Sequence, residues 1–190
     1  MIAMSTSQPI RWTPPWREQE EPKPVYLLRA PSVTEREILE GELSGEHRAG
    51  IVYGFQLRAA FAAGIDSLIG ETAPDDAARL KELSAQQAAL KDGESLADDE
   101  IALLEAAEAV LIEHYPAYRS LIAQQQRREA LAPIVAFQKW CVGVENLDVP
   151  FARDWSGVKP EAMAAIDPLE LRVAGRTAYN LAYAGQHLGN

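Results

Sequence analysis

WCVGVENLDVPFARDW, Trp140 to Trp155, is the stretch whose reading decides the fold. Val142, Val144 and Val149 are β-branched and, with Leu147, favour a pleated or buried path, whereas Asn146 and Asp148 favour turns. Pro150 has no N–H to give to a ladder. An uninterrupted helix is therefore excluded. The segment reads as a buried connector that closes a helical core. Trp140, Val142, Gly143, Asn146, Leu147 and Phe151 form its structural hinge, between the helices before it and the last pair after it. Cys141 has no second cysteine to pair with, and between Trp140 and Val142 it reads as a packed, inert thiol.

Downstream, Ser156-Gly157 turns the chain and Pro160 opens a short helix through Ile166. Asp167-Pro168-x-Glu170 then supplies an N-cap Asp, a Pro at the first helical position and a Glu at the third, the clearest helix start in the chain. Within that helix Leu171, Ala174, Ala178, Leu181, Gly185 and Leu188 recur at steps of three and four residues. Such a small-residue seam admits a close partner helix, from the same chain or from another subunit.

Upstream the pattern is helical. Arg127 to Trp140 is expected to be a helix again after Pro133, and Pro116 must kink or end the helix before it. Ser95, with Asp98 three residues on, is the expected cap of that earlier helix, which Leu103, Leu104, Val110, Leu111, His114 and Tyr118 follow. With the helix begun at Thr72 to Asp75 it makes an antiparallel hairpin, acids outward. A further helix is expected from Ala49 to Ile69, with Leu57, Phe61, Gly64 and Leu68 on one face. Gly64 there implies close approach of another backbone, since glycine costs about 1 kcal/mol against alanine in a helix. Ser32 with Glu35 has capping-box spacing and starts a helix to about Leu43.

Pro24 to Ala30, PVYLLRA, is the best strand candidate, and both Ile10 to Trp12 and the Val142 to Val149 stretch are open to it as partners. Residues 1–23 hold Pro9, Pro14, Pro15 and Pro22 and read as an extended or flexible arm. Its indoles, Trp12 and Trp16, either fold back onto the domain or lie on a neighbour. The expected fold is thus mainly α: a multi-helix single domain over 24–190 with a small N-terminal β element and a Pro/Trp-containing arm. Residues 132–190 are a candidate C-terminal subdomain.

At 190 residues, with 47% hydrophobic and 24% charged residues, the chain has the composition of a globular protein rather than a disordered one. Its formal net charge of -10 disfavours a nucleic-acid partner, whose phosphates need a basic surface, and favours solubility or a basic protein partner. Twelve acids against three bases between Glu71 and Glu113 hold nearly all of that excess, an asymmetry that can steer self-association. No run of about eighteen apolar residues spans a membrane, and MIAMSTSQPIRW lacks the basic and apolar regions of a signal peptide, so a cytosolic protein is expected. His47, His114 and His187 are far apart, and no P-loop, H-E-x-x-H, G-x-G-x-x-G or nucleophile elbow occurs. A protein that is not an enzyme and needs no cofactor or metal is expected.

VGVENLDVPF, followed by a glycine, a Pro-started helix and a last Ala-rich helix, resembles the C-terminal half of tail assembly chaperones of long-tailed bacteriophages. PVYLLRAPSVTEREILEGEL is similar to that family's opening strand and acidic helix, and GFQLRAAFAAGI to its alanine-rich helix. Val142-Gly143-Val144-Glu145-Asn146 occupies the place of its V-x-G-W-x-N-like turn, with Val144 where the family has Trp. The resemblance implies a chaperone that coats the tape measure protein, with the tail tube protein as a second candidate partner, in the cytoplasm of the infected host and then leaves the finished particle. A structural virion component, of tail-completion or connector type, is the alternative. Apolar helical faces would bind the partner, with Leu57, Phe61, Leu171, Ala174, Ala178 and Leu181 as candidates alongside Trp12 and Trp16.

Overall fold

The structure, a computed structural model, describes residues 8–181. The chain is mostly helical with a small β-sheet, and it divides into two compact units. One joins the described residues up to Gly50 with those from Arg127 onward; the other is Ile51–Gln126. The boundaries expected at 23/24 and 131/132 are thereby corrected, because the N-terminal segment and the C-terminal helices share one core.

At the centre of the first unit is β2 (Val25–Leu28). β1 (Ile10–Trp12) pairs antiparallel on one side of it and β3 (Cys141–Glu145) on the other, so the strand takes both of its open partners. Alternation along β2 puts Tyr26 and Leu28 on the core face and Leu27 on the other, as the pleat requires. Against the core face pack Leu39 and Leu43 of α1 (Val33–Gly45) and Val135, Ala136, Phe137 and Trp140 of α5 (Pro116–Trp140). Ala162 of α6 (Pro160–Ala164) and Leu171, Ala174 and Ala178 of α7 (Pro168–Leu181) complete it. Trp12, Tyr26 and Phe137 form an aromatic run, with ring centroids 5.8 and 6.0 Å apart.

Residues 1–23 are therefore no free arm where they are described. Trp12 lies in a sheet strand against Tyr26, and Pro14 is buried. Arg17, in the 3-10 turn Pro15–Arg17, donates to Glu170 at 2.9 Å, and the Tyr26 hydroxyl donates to the same carboxylate at 2.7 Å. Glu170 is 4% exposed. The Asp167 carboxylate accepts from the Leu169 and Glu170 amides, as the N-cap reading requires, which frees the Glu170 side chain to face inward.

The stretch after Trp140 joins α5 to the last pair of helices as a sheet strand and the turn that leaves it. Val142 and Gly143 lie in β3, and Asn146, at φ 57°, turns the chain out of it while its amide donates to the Lys23 carbonyl at 2.8 Å. Leu147 and Phe151 then pack half-buried on the same core. A side chain at Gly143 would crowd Leu27, whose face the Arg11–Glu145 ion pair spans between β1 and β3. That pair is exposed, so solvent screens it and it contributes little. Each fully buried large apolar side chain contributes roughly 1.5 to 3 kcal/mol, so the sheet is held chiefly by its covered face.

In α5 the helix runs unbroken through Pro133, against the expected restart there; the ring removes one N–H but the flanking Ala132 and Val135 anchor the turn in the core. α7 packs tightly against it: a Cβ at Gly175 would lie 2.0 Å from the Pro133 carbonyl oxygen.

The second unit holds α2 (Gly54–Ile69), α3 (Pro74–Ala89), α4 (Asp98–His114) and the start of α5. Its core is Phe61, Ile65, Ala77, Leu80, Leu83, Leu104, Leu111 and Tyr118. α2 begins at Gly54, not Ala49, because Ile51-Val52-Tyr53 stays extended and the Gln56 side chain caps the Tyr53 amide. α4 is capped at Ala97 rather than Ser95, with Glu100 accepting from the Ala97 amide. At Gly64 the close neighbours are side chains, Leu111 and Tyr115, in place of the expected backbone.

Two outcomes follow from the first unit. Its four tryptophans, the only ones in the chain, make indole fluorescence a probe of its unfolding. Deleting residues 1–22 removes β1 and leaves Glu170 without its cation, so chemical denaturation should show a loss of at least about 3 kcal/mol; unchanged stability would show that the segment is dispensable. The Arg29 guanidinium, backed by Ser32, holds the Glu35 carboxyl down to about 2 from its ordinary 4.5. A depressed acid stabilises the fold above its unfolded value and loses that contribution as pH falls. Glu35→Gln should therefore be less stable than wild type at pH 7, with the gap closing between about pH 4.5 and about pH 2; a gap that persists at pH 2 would contradict this.

Candidate functional site

The sequence candidates separate by burial. Leu171, Ala174 and Ala178 are core residues, correcting their reading as a docking seam. The seam is real, but α5 and the sheet of the same unit already fill it. Leu181 is half-buried on the same core, and Gly185 and Leu188 lie outside the described residues. Phe61, 3% exposed, is likewise core, packed edge-on against Tyr118 with centroids 6.1 Å apart. Trp12 is committed to Tyr26, whereas Trp16 is half exposed.

Leu57 and Phe61 nevertheless meet at a surface feature. With Ala88 of α3, Glu108 of α4 and Tyr118 and Ile122 of α5, they line an open groove of about 380 Å³ within the second unit. Tyr118 donates to the Glu108 carboxylate, and burial, more than that carboxylate, pushes the phenol up to about 12. The hydroxyl thus remains a donor, and the groove, which Arg58, Ser84, Gln87 and Gln125 also line, is of mixed polarity.

A second feature escaped the sequence reading. α4 carries apolar residues on two sides: Leu104 and Leu111 face the core, while Leu103, Ala106 and Val110 lie in a row on the exposed side. Val110 is 48% exposed. The signal was present in the doublets Leu103-Leu104 and Val110-Leu111, because neighbours on a helix point about 100° apart and cannot share one face. Asp98, Asp99, Glu105 and Glu113 surround that row. Residues 51–126 hold thirteen acids and five bases, a net charge of -8 out of the chain's -10.

Among the described residues one group of potential ligand side chains, Glu42, Glu46 and His47, is brought together. His114 ends α4 in solvent near Glu113, rather than packing inside. His47 lies with Glu42 and Glu46 close enough for one ion to reach all three, but the Lys139 ammonium occupies Glu42 at 2.6 Å. The cluster is an ion-pair arrangement. Cys141 is buried, and that burial pushes its thiol up to about 12. No described helix is long and apolar enough to cross a membrane. Comparison with protein-family models, curated proteins and solved structures finds no match to this chain.

Cys141 should accordingly stay unmodified by a thiol-selective reagent at pH 8 in the folded protein and react only on unfolding, since the thiolate is the reacting form. Labelling of native protein at the rate of a free thiol would contradict the placement.

Proposed function

We propose that this protein is a non-enzymatic assembly chaperone that holds a long amphipathic-helical protein soluble, as tail assembly chaperones of long-tailed phages hold the tape measure protein. One observation carries the reading: the second unit leaves the row Leu103, Ala106 and Val110 of α4 uncovered on a strongly acidic helical surface. An apolar stripe at i, i+3 and i+7 is the pattern by which a helix receives another amphipathic helix. Surrounding acids favour a partner whose stripe is edged by Lys or Arg, and they oppose aggregation of the loaded complex. The groove at Leu57 and Phe61 offers a second recess, of mixed polarity, on the same unit.

On this reading the binding face is α4 and not α7. The partner would be engaged in the host cytoplasm and released as tube subunits polymerise. The test is co-expression with a tape measure fragment. Wild type should keep the fragment soluble and co-purify with it. Val110→Asp, an exposed substitution, should abolish both while shifting the melting temperature by no more than about 2 °C, the scale of a surface change. A wild type that never retains the fragment would refute the chaperone reading, and a fully active Val110→Asp would remove α4 as its face.

A further inference from the structure

α7 turns one face into the core and carries a different stripe on the other. Glu170, Leu171, Ala174 and Ala178 are buried, whereas Leu169, Arg172, Val173 and Arg176 recur at three- and four-residue steps on the opposite side. Leu169 is 58% exposed, both arginines are exposed, and Val173 is half-buried. With Pro133 of α5 these four line a recess of about 310 Å³ in the first unit, and Glu129 is its single acid. Among the described residues neither guanidinium enters an ion pair or a hydrogen bond. In the same unit Arg11, Arg17, Arg29 and Arg128 are each matched to a carboxylate. Two unmatched arginines, one helical turn apart beside apolar side chains, are thus left for another molecule.

The outer face of α4 is complementary to that stripe. Its exposed row Leu103, Ala106 and Val110 continues at the same steps to Asp99 at one end and Glu113 at the other. Among the described residues the Asp99 carboxylate has no partner, and Glu113 meets only the exposed His114 imidazole, 3.7 Å away. The two surfaces also stand on units of unequal charge. Residues 51–126 carry -8, which leaves only -2 of the chain's -10 to the rest. Two second units repel each other, whereas the arginine stripe of a first unit offers an acid-ended apolar row both apolar contact and opposite charge.

We infer that the Arg172 and Arg176 stripe of α7 docks on the α4 row of a second copy of this chain. Leu169 and Val173 lie on Leu103, Ala106 and Val110 in that contact, with the guanidinium groups toward the carboxylates. Two different surfaces meet, so the association is head-to-tail and builds a ring or an open chain. Exposed ion pairs contribute little each, so the contact is weak and fills only at high concentration. The inference rests on the α4 row used in the proposed function but not on the partner proposed there.

Sedimentation velocity of the full-length chain, over a series reaching millimolar concentration, tests it. Wild type should gain mass with concentration at about 20 mM salt and lose most of that gain at about 500 mM, where exposed charges are screened. Arg172→Glu with Arg176→Glu should stay monomeric while keeping a cooperative melting transition. Asp99→Lys with Glu113→Lys should do the same, and it probes the contact from the other unit. An equimolar mixture of the two variants should associate again, since each supplies the charge the other lacks. The arginine variant should still retain a tape measure fragment on co-expression, which separates failure of this contact from failure of the chaperone reading. A wild type that stays monomeric throughout overturns the inference. So does association that survives the arginine reversal, or a mixture that remains monomeric.

Discussion

The Glu170 carboxylate receives Tyr26 from the central strand and Arg17 from the N-terminal turn while sitting at the start of the last helix. Three segments distant in sequence thus meet at one buried charge. An isolated carboxylate in such a place would cost several kcal/mol, so the arrangement stands only when both donors are present. Burial, with the adjacent carboxylate, pushes the Tyr26 phenol up and keeps it a donor. Arg17 is in turn held by Glu20, so the guanidinium is oriented before it reaches the core. The consequence is positional: the 3-10 turn, the central strand and the last helix can be satisfied in only one mutual arrangement.

That constraint explains why the apolar seam of the last helix is unavailable to a partner. With Glu170 drawn onto Tyr26, Leu171, Ala174 and Ala178 face the sheet unit's core, and Gly175 lets the helix backbone reach the Pro133 carbonyl. Surfaces able to meet other molecules are left elsewhere, on the outer row of α4, on the hairpin Arg153–Val158 that carries Trp155, and on the outward stripe of α7. They differ in charge: the first is surrounded by acids, whereas beside the second the Arg29 and Lys139 cations are already paired with Glu35 and Glu42. The acidic one suits a basic-edged helix.

Much of the fold was legible because its signals are local. The capping pair Ser32 and Glu35, the Asp167-Pro168 start and the Pro116 break each act within a few residues, and each stands where the sequence places it. Strand Val25–Leu28 was legible from its proline brackets, but its two partners were not distinguishable, and both are used. What was hidden is non-local. A small-residue seam has the same pattern whether it packs within the chain or between chains, so the role of Leu171 to Ala178 could not be read. The proline-rich start looked like an arm because prolines favour extended backbone both in a free tail and beside an edge strand. Residue type alone also gives no sign that Trp155 stands in solvent while Trp140 is buried.

On the proposed reading a helical partner is received on the outer face of α4. Hydrogen–deuterium exchange of the whole chain, with and without a tape measure fragment carrying a Lys- or Arg-edged apolar stripe, decides it. Exchange should slow across Asp98–His114 and along the groove-lining turns of α2 and α3, with Pro168–Leu181 unchanged. Protection confined to Pro168–Leu181, or none anywhere under saturating fragment, would contradict it.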